Sequence, residues 1–117
     1  MNLKLLIKNF ILVGVLSLPL ISCQKETTSK APLSKIASRG KGIYLSNCIV
    51  CHNPNPAMDG SIGPALVGSS LELLEAKLVH QTYPTGYKPK RTSGSMPEFS
   101  QLKADIPALH AYLESFK

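Results

Sequence analysis

Three stretches of the chain repeat apolar residues at helical spacing, and proline-rich or glycine-rich segments separate them. In KIASRGKGIYLSNC (residues 35–48), Ile36, Ala37, Ile43, Tyr44 and Leu45 supply the apolar positions. Ser34 is suited to accept from an amide of the first turn, so the pattern predicts a helix over about 35–47. Gly40 and Gly42 each cost such a helix about 1 kcal/mol, and close approach of another helix is one reason to keep a glycine there. In SSLELLEAKLVHQ (69–81), Leu71, Leu74, Leu78, Val79 and His80 follow the helical period. Ser69 or Ser70 caps this helix and Glu72 strengthens its start. In ADIPALHAYLESFK (104–117), Asp105 serves as the cap and Pro107 fits the first turn. Ile106, Leu109, Tyr112, Leu113 and Phe116 share one face.

Between these helices, residues 53–69 and 82–100 are dense in proline, glycine and small polar residues and read as loops. No segment alternates as a strand would. The fold class is all-α, with three main helices and two long loops. A structureless loop as long as 82–100 in a small domain is expected to wrap something. The apolar faces are too few to fill the volume such loops enclose, so a large apolar ligand would complete the core.

Ahead of the helices stands MNLKLLIKNFILVGVLSLPLISC. Lys4 and Lys8 precede an apolar run from Phe10 to Ile21, broken only by Gly14, Ser17 and Pro19. That is the pattern of a secretory signal, and it is short of the roughly 20 apolar residues of a membrane span. Its end, LISC, resembles the lipobox of bacterial lipoproteins, where cleavage leaves the cysteine first and its thiol acylated. The resemblance divides the chain into a signal peptide (1–22), a lipidated Cys23 with a polar tether (23–34), and a domain (35–117). An uncleaved N-terminal anchor is the alternative. Both readings export the domain and tether it to a membrane, on the periplasmic side, and several acyl chains make such a tether stable. Glutamine after Cys23 resembles outer-membrane sorting in some bacteria, which leaves the choice of leaflet open.

The 117 residues allow one domain and one modest core. Their net charge of +6 falls by the two lysines that cleavage removes. What is left is a mild excess without a dense basic block, suited to steering toward an acidic protein partner. No nucleic-acid-binding motif is present. The three cysteines are an odd number. With Cys23 as the anchor, Cys48 and Cys51 are free to act as a pair.

That pair lies in CIVCH, residues 48–52. Half of a zinc site is one reading, but structural zinc needs four protein ligands, and beyond His52 the chain offers only His80 and His110. A redox dithiol is a second reading, but such motifs normally follow a strand, and none precedes Cys48. The third reading is covalent haem, for which C-x-x-C-H is the attachment signature. Two thiols add across the two haem vinyl groups to give thioethers, and the adjacent histidine is placed beneath the iron.

The surrounding motifs extend this third reading. RGKGIYLSNCIVCH (39–52), GPAL (63–66), SGSMPEF (93–99) and DIPALHAYLESF (105–116) appear in the order seen in the small monohaem class I cytochromes c, which the chain resembles from about residue 38 to its end. The resemblance implies the cytochrome c fold, with helices and loops wrapped around one covalent haem c. It implies Cys48 and Cys51 as thioether anchors, with His52 and Met96 as the axial ligands of the iron. It implies that the Pro64 carbonyl accepts a hydrogen bond from His52, a contact that orients the ring and tunes the metal. Gly40 and Tyr44 match one half of the family's helix crossing, and Leu109 and Tyr112 the other. Met58, only six positions past His52, is read as a loop residue over the haem edge. Tyr83, Tyr87 and Arg91 are the residues chosen to meet the haem propionates. His80 is read as a partly buried helix residue rather than an axial ligand, and His110 as facing solvent.

The function implied is single-electron transfer with transient redox protein partners, without a small-molecule substrate and without catalysis of its own. The same features suit a haem subunit of a larger oxidase, dehydrogenase or reductase. A haem sensor or peroxide-reacting enzyme would lack the sixth ligand that SMP supplies.

Overall fold

The computed structural model describes residues 31–92 and 96–117. The stretch expected to be a signal peptide and the expected lipidation site Cys23 lie outside the described residues. Helix α1 spans Lys35–Asn47, α2 spans Leu71–His80, a 3-10 helix spans Ser100–Asp105, and α3 spans Ile106–Glu114. There is no strand among the described residues, and no described helix is long and apolar enough to cross a membrane.

Helix α1 begins where the sequence places it, with the Ser34 hydroxyl accepting from the Ala37 amide at 3.2 Å. It buries Ala37, Gly40 and Tyr44, and its main neighbour is α3. The crossing explains Gly40. A Cβ there would run into the backbone carbonyl of Ala108, an obstacle that cannot rotate away. Just beyond, the Tyr44 and Tyr112 rings meet at 5.5 Å with a 53° tilt, and Tyr112 meets Phe116 edge-on at 5.2 Å. Leu109 and Leu113 are buried in the same seam. Gly42 faces open space instead, so close approach does not account for it.

Helix α3 is shorter than the periodicity suggests and starts differently. Asp105 makes no capping hydrogen bond. Its carboxylate pairs instead with the Arg39 guanidinium of α1. The 3-10 helix before it, Ser100–Asp105, takes in the last loop position and the first two positions expected of the helix. Pro107 does occupy the first turn. Helix α2 starts on Ser70, whose hydroxyl accepts from Leu73 at 3.1 Å. It buries Leu74 and Leu78 against the 3-10 helix and α3, while Leu71 stays exposed. The helix closes on Gln81, which takes a left-handed conformation at φ 55° and donates its side-chain amide to the Lys77 carbonyl. The Leu78 carbonyl then accepts from the Phe99 amide at 2.7 Å, which pins the return of the second long loop.

Candidate functional site: an apolar cleft between α2 and the C-x-x-C-H turn

Cys48 is the C-cap of α1, and its carbonyl accepts from both the Cys51 and His52 amides, at 3.2 and 2.9 Å. This tight turn carries the three residues of the motif onto one rim. The Tyr44 hydroxyl donates to the Asn53 carbonyl at 2.6 Å and ties the turn back to the helix crossing. Next, the Cys51 carbonyl accepts from Gly63 at 2.8 Å and holds the following loop under the motif. The His52 ring lies directly on Gly63, where any Cβ would collide with it. Its Nδ1 is 2.8 Å from the Pro64 carbonyl. A carbonyl only accepts, so Nδ1 carries the proton and Nε2 keeps its lone pair. That nitrogen has no partner among the described residues, and His52 lines the cleft.

The cleft has two adjoining parts. The larger, about 290 Å³, is almost wholly apolar and is lined by Cys48, Cys51, His52, Leu66, Leu73, Leu74, Leu78, Met96, Phe99 and Leu109. The smaller, about 90 Å³, adds Ile62, Gly63, Pro64, Tyr83, Tyr87, Lys90 and Arg91. Cys51, His52, Leu66, Ser69, Leu73, Lys77 and Met96 belong to both. The slot is open to solvent and lined by leucines, so it holds apolar surface against water at about 25 cal/mol per Å², and a large apolar occupant would complete the core.

The donor set fits haem and fits its rivals poorly. Both thiols are free. Burial, reinforced by the neighbouring Cys51, pushes the Cys48 thiol up to about 11. A reactive dithiol needs the opposite, a thiolate stabilised by a helix N-terminus or a cation, whereas Cys48 sits at a helix C-terminus. Among the described residues, no three His, Cys, Asp or Glu side chains gather to hold a metal ion. What remains is a pair of thiols and an oriented imidazole on the rim of an apolar slot, with a thioether reaching in from the far loop.

The sequence-derived residues fall as follows. Cys48, Cys51, His52 and Met96 all line the larger part of the cleft. Residues 93–95, just before Met96, lie outside the described residues, while Met96 itself is half-buried against the hydrophobic core. Pro64, Tyr83, Tyr87 and Arg91 line the smaller part. Met58 is exposed and lines neither part. His80 is exposed at the end of α2, contrary to the partly buried position expected. His110 is half-buried, not solvent-facing, with Nε2 3.7 Å from Glu114 one turn on. Leu66, Leu73, Phe99 and Lys77 carried no signal as site residues. Leu73 falls beside the Leu71–Leu74–Leu78 stripe, yet it lines both parts of the cleft, whereas Leu74 and Leu78 line only the larger.

Comparison with known proteins agrees with this geometry. The cytochrome c family profile matches residues 37–117. A cytochrome c-553-like protein of Synechocystis sp. is 34% identical over 79 residues, covering 68% of each chain. No solved structure matches the chain. The matched region begins within α1 and takes in every described residue of the cleft. The chain therefore belongs to the cytochrome c family, as a small class I, monohaem member that serves electron transfer through covalently attached haem c.

Proposed function

We propose that this protein is a lipid-anchored carrier of single electrons on the periplasmic side of a bacterial membrane, its iron ligated by His52 and Met96. Cys23 carries the anchor, and the polar residues 24–34 give the domain its reach. Cys48 and Cys51 hold the haem through thioether bonds. The observation that carries the ligation is the single apolar slot that Cys48, Cys51, His52 and Met96 share. When bound, the haem supplies a one-electron couple. The chain's own residues do the rest. Pro64 and Gly63 fix the plane and tautomer of His52, Leu66, Leu74 and Leu78 keep water from the slot, and Met96 offers a soft sulfur that raises the potential relative to a second histidine.

Optical spectra of the full-length protein, matured in a haem-attaching host, test the ligation. Low-spin c-type bands are expected on reduction, with a weak near-infrared band of methionine–iron(III) ligation in the oxidised form. A native protein without that near-infrared band would overturn Met96 as a ligand. Met96→Ala is expected to keep the covalent haem, lower the potential and admit carbon monoxide. The anchor is checked separately: the parent protein is expected to incorporate labelled palmitate, and Cys23→Ser to take up none.

A further inference from the structure

The wall of the cleft made by α2 and the loop after it carries a cation that no sequence motif marks. Lys77 is the charged residue that α2 contributes to both parts of the cleft, beside Leu73. Its Nζ rests 4.3 Å above the centre of the Tyr83 ring. Tyr83 in turn stacks on Tyr87, with ring centres 5.5 Å apart and planes within 11°. All three side chains line the smaller part of the cleft, next to His52 and Pro64.

The hydrogen-bonding status of this stack sets it apart from its basic neighbours. Lys90 donates to the Ala65 carbonyl at 2.8 Å. Arg91 donates to the Ile62 and Ser61 carbonyls at 3.1 and 3.4 Å and has the Asp59 carboxylate at 3.7 Å. Lys77 has no carboxylate partner among the described residues, and the hydroxyls of Tyr83 and Tyr87 have no hydrogen-bond partner there either. Three donors without an acceptor therefore share one wall of the smaller part, next to the apolar slot. Their complement is a carboxylate carried on a large apolar body, because a carboxylate brought beside such a slot must be paired and hydrogen-bonded. A lysine is a point charge with rotatable donors, and the ring beneath it holds the ammonium at the rim by cation–π attraction.

We infer that Lys77, seated on the Tyr83–Tyr87 stack, binds a haem propionate and sets the reduction potential, leaving Arg91 to fasten the loops. This rests on the covalent haem of the proposed function. The cation offsets the propionate charge and disfavours the additional positive charge of the ferric state, so removing it lowers the potential.

The test uses full-length holoprotein variants, with redox titration at low ionic strength and haem staining on denaturing gels. Lys35→Gln is the control, since Lys35 is exposed, lines neither part of the cleft and changes net charge by the same amount. Lys77→Gln and Lys77→Met are expected to lower the potential more than Lys35→Gln does. Lys77→Glu lowers it further, Lys77→Arg stays near the parent, and Tyr83→Phe shifts it slightly in the same direction. Equal shifts for Lys77→Gln and Lys35→Gln would overturn the inference, as would a Lys77→Arg potential that falls as far as Lys77→Gln. A parent protein without covalent haem overturns the proposed function itself. Intact haem with an unmoved potential overturns only the role of Lys77.

Discussion

The crossing of α1 and α3 and the cleft beneath α2 are built from similar residues but closed in different ways. At the crossing, protein meets protein. Gly40 lets the Ala108 backbone in, and Tyr44, Tyr112, Leu109 and Leu113 fill the seam. In the cleft, leucines from α2 and the loops face a slot that no protein side chain fills. The first is a core that the chain completes alone. The second is half a core, and its other half is the cofactor. The difference teaches that the haem counts among the packing groups of this fold as well as being its chemistry.

Removing the attachment should break the comparison most severely. Cys48→Ser/Cys51→Ser is expected to give a chain without covalent haem that has lost about 3–5 kcal/mol, because the surface of two or three leucine side chains in the slot then faces water. Chemical denaturation followed by circular dichroism checks this, and a cooperative transition at the parent's midpoint would show the cleft to be self-sufficient. Gly40→Val attacks the other region. It should lose about 3 kcal/mol from overpacking against backbone, while any protein that folds keeps its haem spectrum.

Tyr44→Phe should cost about 1–2 kcal/mol by leaving the Asn53 carbonyl without its donor. It also has a signature in pH. Burial holds the Tyr44 phenol above its ordinary value of 10. Above that pH the unfolded chain ionises while the folded one resists, so stability is intact below pH 10 and falls as pH rises beyond it. The variant's stability should fall less steeply there, with the remaining slope partly due to Tyr112, which burial also raises. The smallest effect has the opposite sign. Gly42→Ala, with nothing around it to collide with, should gain about 0.5–1 kcal/mol by helix propensity and reduced freedom of the unfolded chain. A thermal melt of the holoprotein reads this as a higher midpoint.

Much of the crossing was legible in the sequence because its signals are local. Ser34 caps α1 three residues from the amide it serves, and Gly40 and Tyr44 lie one turn apart on the face that meets α3. Asp105 was misread because its carboxylate goes to Arg39, a partner 66 residues away, which no nearby pattern announces. The cleft divides along the same line. CIVCH and SMP are compact motifs, and they mark Cys48, Cys51, His52 and Met96 without reference to the rest of the chain. Lys77 carried no such mark. On a helical wheel it is an ordinary charge near a helix C-terminus, and only the return of the chain past Gln81 sets Tyr83 beneath it.

Lys90 and Arg91 form a clasp with a consequence for local motion. They join the second long loop to residues 61–65 across 25 to 30 positions of sequence. The bonds are exposed, and no residue of 82–92 belongs to the hydrophobic core. Segments of that kind open at low free energy, well below that of global unfolding. Hydrogen exchange is therefore expected to be faster for the amides of this loop than for those of α1 and α3. The smaller part of the cleft is therefore a door on a rigid frame, and water reaches its polar wall without disturbing the crossing that holds the molecule together.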